Sequence, residues 1–272
     1  MLNGELSCYT ANLIGHLARA DPGADARFAG SVELSVREDG PDGVLAFRHY
    51  GRIAPDLGYR SARGWDEAGR ALRAEFGRRG DVLVVANSRH LPWSVHRDRR
   101  DVPHWVRLAG RDGDRWLVVD DFEALLPEGA QAPYRGWVDE EGLRSLAAPL
   151  PDLPAVLRQR DLYALGGGPA FVPDVGTYRW LEHGAGRYRP DDSHWVLDTR
   201  AALAYVRDRF AADVEAMRAH ADDLWAAARH HCFRAAHGTP DPSAAAAWGE
   251  LARALRFAVQ SADRGRPRPA LV

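Results

Sequence analysis

The chain has 272 residues, 46% hydrophobic and 27% charged, with a formal net charge of -2, a balance that supports an ordinary buried core and argues against disorder. It lacks the basic excess of a generic nucleic-acid binder and any apolar run long enough to span a membrane, so neither partner is expected. All 36 basic residues are arginine, which rules out a pyridoxal-phosphate Schiff base, a Walker-type phosphate loop and a Ser-Lys hydrolase, each of which needs a lysine amine.

Residues 7–20 read as a helix, with Ser7 as N-cap, an apolar stripe of Tyr9, Leu13, Ile14 and Leu17, and an end near Asp21-Pro22-Gly23. Cys8 falls in its first turn, where unpaired backbone N–H groups and the helix dipole suit a cysteine nucleophile. Extended segments follow at Ser31–Val36 and Val44–Tyr50, divided by the turn-rich stretch 38–43, and then a helix at Asp66–Phe76. The run Asp81-Val82-Leu83-Val84-Val85-Ala86 has the pattern of a buried central strand, and Asn87–Pro103 that of a loop rich in arginine and histidine.

His104–Gly110 and Arg115–Asp120 flank Arg111-Asp112-Gly113-Asp114 and read as a hairpin. A three-residue loop with Gly113 left-handed sets Val106 opposite Val118, Leu108 opposite Trp116 and His104 opposite Asp120, with Arg107 and Arg115 on the other face. A two-residue Asp-Gly loop sets Asp121 opposite His104 instead, but mixes arginines into the core-facing set, so Asp120 is preferred and Asp121 is the fallback.

The stretch Ala148–Pro154 marks a change of character. It divides an expected catalytic domain, residues 1–150, from a mostly helical part, residues 151–272, in which 201–235 and 243–262 have helix-forming patterns.

Cys8, His104 and Asp120 supply what acyl transfer through a thioester needs: a sulfur nucleophile, an imidazole that passes a proton and a carboxylate that fixes the ring tautomer. The backbone N–H of Cys8 is one oxyanion donor, with Asn3 and Asn87 as candidates for the second. In the loop before His104, Arg89, Arg97, Arg99 and Arg100 with Trp93 are candidates for gripping an acidic partner such as a carrier protein or its phosphopantetheine phosphate. His230-His231-Cys232 has adjacent histidines that diverge on a helix, so no metal is expected. With Cys8 and Cys232 far apart, neither a disulfide nor a Cys-rich zinc site is expected. The first residues lack a basic-then-apolar signal pattern, and a cytoplasmic location is expected.

The order of the early Leu-Ser-Cys8 helix, Gly80-Asp-Val-Leu-Val-Val, Leu91-Pro92-Trp93, His104-Trp-Val-Arg-Leu-Ala-Gly110 and Trp116-Leu-Val-Val-Asp120 resembles the N-terminal domain of butirosin biosynthesis protein H and its relatives. More distantly, it is similar to the papain-like peptidase domains that process bacteriocin leaders. The resemblance covers roughly residues 1–150. It implies a papain-like α+β fold, the N-terminal helix packed on an antiparallel sheet. The implied activity moves an acyl or aminoacyl group from an acyl- or peptidyl-carrier thioester through the cysteine onto a small-molecule amine of an antibiotic precursor, with no cofactor of its own. A thioesterase, peptidase or peptide-releasing cyclase using the same residues, and a catalytically silent binding protein, are the alternatives.

Overall fold

A computed structural model describes residues 6–38, 43–168, 170–188, 193–237 and 242–266. In chain order the first elements are α1 (Cys8–Leu17), α2 (Ala24–Ser31), β1 (Val32–Glu38), β2 (Leu45–Tyr50), β3 (Leu57–Ala62), α3 (Trp65–Arg79) and β4 (Val82–Asn87). A short 3-10 turn, Ser88–His90, leads to β5 (Pro103–Asp112), β6 (Arg115–Asp120), β7 (Ala124–Leu126), β8 (Gly129–Gln131) and β9 (Tyr134–Val138). Then come α4 (Glu140–Leu146), α5 (Ala155–Tyr163), β10 (Tyr178–His183), α6 (Thr199–Ala212), α7 (Val214–His237) and α8 (Pro242–Asp263). The fold class is α+β, and every strand pairing among the described residues is antiparallel.

The chain divides into two units, but not at residue 150. One comprises residues 1–24, 54–157 and 170–188; the other 25–53, 158–169 and 189–272. The expected sequential boundary fails because two segments are exchanged across it. The hairpin β1–β2 shares a core with the late helices, Leu34, Val36, Leu45 and Phe47 packing with Val206, Phe210, Met217 and Leu255. Conversely β10, inside the stretch expected to be mostly helical, pairs with both β3 and β4.

The first unit holds a six-stranded sheet in the order β3-β10-β4-β5-β6-β9. All six residues of β4 are buried, as its unbroken apolar run requires of a strand covered on both faces. One face of the sheet carries Val82, Val84, Ala86, Val106, Leu108, Trp116 and Val118, which pack with Leu72 of α3 and with Leu143 and Leu146 of α4. The other face carries Trp105 and Arg107 and receives α1, with Tyr9 edge-on to Trp105 at 5.0 Å between ring centres.

Gly15 lets α1 lie close to this face, because a Cβ there would collide with Asp121 Oδ2 and sit 2.9 Å from Arg107 Nε. Arg107 is buried and donates to Asp81 Oδ2 (2.9 Å) and, through Nε and Nη2, to Asp121 Oδ2 (3.0 and 2.8 Å). Gly15→Ala is therefore expected to lift the helix or break a buried ion pair, at a cost of about 2–4 kcal/mol despite alanine's better helix propensity. A urea titration checks this, and an unchanged midpoint contradicts it.

Candidate functional site

Cys8 is the first residue of α1, and Ser7 caps the helix as its sequence suggested, accepting from Thr10 N–H at 3.3 Å. The thiol is half-buried. His104, the second residue of β5, and Asp120, the last of β6, are buried at 6% and 0% exposure. His104 Nε2–H donates to Asp120 Oδ2 at 2.7 Å. The other ring nitrogen, Nδ1, is left for the Cys8 sulfur, with which the imidazole also hydrogen-bonds.

The hairpin reaches this arrangement by a different register from either one expected. Its loop is the pair Gly113-Asp114, since Asp112 lies opposite Arg115; Gly113 has φ +61°, placing glycine at the first central position as a II′ turn requires. Toward the turn Gly110 faces Leu117, but beyond a bulge between Leu108 and Gly110 the pairs are Leu108 with Val118 and Arg107 with Val119. Continuing that register sets His104 level with Phe122, whose ring lies 5.7 Å from the imidazole, and makes Asp120 the diagonal neighbour. The bulge thus decides the partner. Without it, even positions of β5 would share a face with odd positions of β6, and Asp121 would turn toward His104. With it, Asp120 joins His104 and Asp121 joins Arg107 on the opposite face.

Asp120 has its acceptor sites filled. Besides His104, Oδ2 takes Trp93 Nε1–H (2.8 Å), while Oδ1 takes Asn12 Nδ2–H (2.9 Å) and Phe122 N–H (3.1 Å). Burial opposes its ionisation, but the charge of His104 and the hydrogen bonds from His104, Asn12 and Trp93 outweigh that and hold the carboxyl below its ordinary range. For His104 burial likewise opposes charge, yet the charges of Asp120 and Cys8 and the hydrogen bonds to both raise the imidazole well above its usual value.

The loop residues sort differently from expectation. Trp93 is half-buried, turns inward to Asp120 and stacks on Tyr134 with ring centres 3.7 Å apart, so its indole serves the carboxylate rather than a docking surface. Asn87 is also corrected as an oxyanion donor: its Nδ2 is committed to Asp101 Oδ1 (2.7 Å) and its Oδ1 caps the following turn at Arg89 N–H (3.0 Å). Three of the four arginines are paired, Arg89 with Asp101, Arg97 with Asp98 and Arg100 with Glu128, while Arg99 is exposed. Asn3 lies outside the described residues, and the backbone N–H of Cys8 remains the oxyanion donor the site offers.

Sequence reasoning missed Asn12. Its signal was a lone amide one turn after Cys8, followed directly by Leu13 and Ile14 in a stretch of α1 where all three are buried. A second buried group also escaped it: His16 Nδ1 bonds Asp81 Oδ1 (2.6 Å), His16 Nε2 meets His183 Nε2 (3.2 Å), and His183 Nδ1 bonds Asp56 Oδ2 (2.8 Å). That chain ties the far end of α1 to β10.

Among the described residues no cluster of three or more His, Cys, Asp or Glu is arranged to hold a metal, and no helix is long and apolar enough to cross a membrane. The geometry defines a Cys-His-Asp constellation built on a helix start and two paired strands. No protein-family model and no curated protein matches the chain.

Proposed function

We propose that this chain is a cytoplasmic, papain-like cysteine acyltransferase of natural-product biosynthesis, which takes an acyl or aminoacyl group from a carrier-protein thioester onto Cys8 and passes it to an amine. The observation that carries the reading is the tautomer lock: an ionised Asp120 can only accept, so it fixes His104 with Nε2–H outward to the carboxylate and Nδ1 toward the sulfur. The half-exposed thiol at a helix start supports it, and so does the order of motifs that resembles the butirosin protein H domain.

Cys8 Sγ attacks the thioester carbonyl carbon. The new S–C bond forms, the donor C–S bond breaks, and the departing phosphopantetheine sulfur takes a proton from His104 Nδ1. The amine then attacks the acyl-cysteine carbonyl and gives its proton to His104, and the Cys8 sulfur leaves. The Cys8 backbone N–H faces the developing oxyanion in both steps. The carrier protein enters through its phosphopantetheine thioester; with Arg89, Arg97 and Arg100 already paired, Arg99 is the loop's remaining contact for an acidic surface.

Incubating the protein with an acyl-carrier thioester or an acyl N-acetylcysteamine thioester is expected to add the acyl mass to the wild-type chain and none to Cys8→Ala, read by intact mass. Turnover of the thioester by Cys8→Ala would refute the mechanism. Product analysis with and without added amine separates transfer from hydrolysis, and iodoacetamide labelling no faster than a free thiol would favour a silent binding protein.

A further inference from the structure

We propose that Asn12 is the positioning residue of the site, setting the Cys8 helix against the His104–Asp120 pair; this rests on the acyl-transfer reading above. Asn12 is fully buried. Its Nδ2 has three acceptors in reach: Cys8 O at 3.1 Å, Trp105 O at 2.8 Å and Asp120 Oδ1 at 2.9 Å. Its Oδ1 accepts from Asp121 N–H at 3.1 Å. One side chain therefore touches the carbonyl of the nucleophile's own residue, the carbonyl of the residue after His104, the carboxylate itself and the peptide that follows it.

The partners also fix which way the amide points. A backbone N–H sits on the oxygen side and three acceptors on the nitrogen side, so the flipped amide would meet like with like at every contact. Two consequences follow. Asn12 and Phe122 N–H together present only donors to Asp120 Oδ1, a surrounding that favours a bare carboxylate over a carboxylic acid and so favours a charged His104. In addition, the rotamer of Asp120 is pinned with Oδ2 toward His104 and Trp93, and α1 is pinned along its axis, so the sulfur cannot slide relative to the imidazole.

A space-filling role and a positioning role differ in what a near-isosteric apolar residue does. Asn12→Leu keeps the volume and removes every donor; Asn12→Ser is smaller and keeps one hydroxyl donor. Asn12→Asp places an acceptor where three acceptors already converge. We expect the order of damage Ser, then Leu, then Asp. The readouts need no substrate: the NMR titration of the His104 ring, and the pH profile of Cys8 carbamidomethylation by iodoacetamide, each measured on the folded protein beside Asp120→Asn.

For Asn12→Leu the His104 titration is expected to fall by about one pH unit and the alkylation profile to move toward that of Asp120→Asn. Should Leu lower thermal stability while leaving both profiles at wild type, Asn12 is a structural filler and the inference is overturned. Asn12→Ser keeps the test open if Leu fails to fold. If Asp120→Asn itself moves neither profile, the failure belongs to the Cys-His-Asp reading rather than to Asn12.

Discussion

Asp120→Asn is expected to lower kcat about 10⁴-fold, the drop seen when an amide replaces the carboxylate of a nucleophile-histidine-aspartate centre. The surroundings of Asp120 give this site a particular reason for it. Two donors, His104 Nε2–H and Trp93 Nε1–H, converge on one oxygen, and two more, Asn12 Nδ2–H and Phe122 N–H, on the other. An asparagine amide has one oxygen and one NH₂ group, so in either orientation its NH₂ faces two donors. The imidazole also loses the counter-charge that overcomes its burial, and His104 should fall from well above its ordinary value to below it. Steady-state rates with a thioester probe and the His104 ring titration measure both effects. A variant within tenfold of wild type would show that Asp120 is a structural carboxylate only.

The second large effect concerns stability in acid. In the second unit three buried or half-buried histidines, His49, His230 and His231, act on one another. Burial is the chief cause that depresses each: His49 and His231 to about 4, and His230 further still. Asp223 partly offsets this at His49, while Arg234 adds to it at His231, and His49 and His231 add to it at His230. His49 and His230 have rings 5.4 Å apart, and His231 lies flat on Trp248 at 4.0 Å.

The folded state keeps these rings neutral, whereas the unfolded chain protonates them near pH 6.5. Below that pH the unfolded state binds more protons, so stability falls as pH drops from about 6.5 toward 4 and is fully present above that window. A shift to about 4 is worth on the order of 3 kcal/mol for an imidazole as buried as His231, and less for the half-buried His49. Urea midpoints followed from pH 7 to 4.5 should fall steeply. In His231→Phe, which keeps an aromatic ring on Trp248, the fall should be shallower. A wild-type midpoint that stays level over that range would contradict the expectation.

Much of the site was legible because its signals are local. The N-cap at Ser7, the apolar run at Val82 and the left-handed glycine at Gly113 each sit within a few residues of the element they specify. The parts that escaped depend on distant segments. β1 and β2 read correctly as strands, yet nothing in them says that their core partners lie in α6, α7 and α8. Tyr178–His183 is six residues long and joins a sheet whose other members end about forty residues earlier in the chain. Trp93 looked like a surface aromatic because arginines surround it in sequence; its partner, Asp120, is 27 residues away. Asn12 carried a usable sign, an amide among apolar neighbours, but its meaning lay in two strands not yet placed beside it.

The bulge beside Ala109 works as a parity bit. It stores one unit of counting, at a position that touches none of the reacting groups, and that unit assigns Asp120 and Asp121 to their separate tasks. Pairing Ala109 with Val118 in an unbroken ladder would leave Cys8, His104 and both aspartates present in the chain while handing the imidazole the carboxylate that Arg107 now neutralises, whereas deleting Ala109 would keep Leu108 opposite Val118 and Asp120 beside His104. A comparison by residue identity would score such a chain as intact. The pairing of this hairpin therefore carries functional information that residue identities do not, and a redesign that closes the bulge with Ala109 retained in the ladder would exchange the two aspartates without altering either.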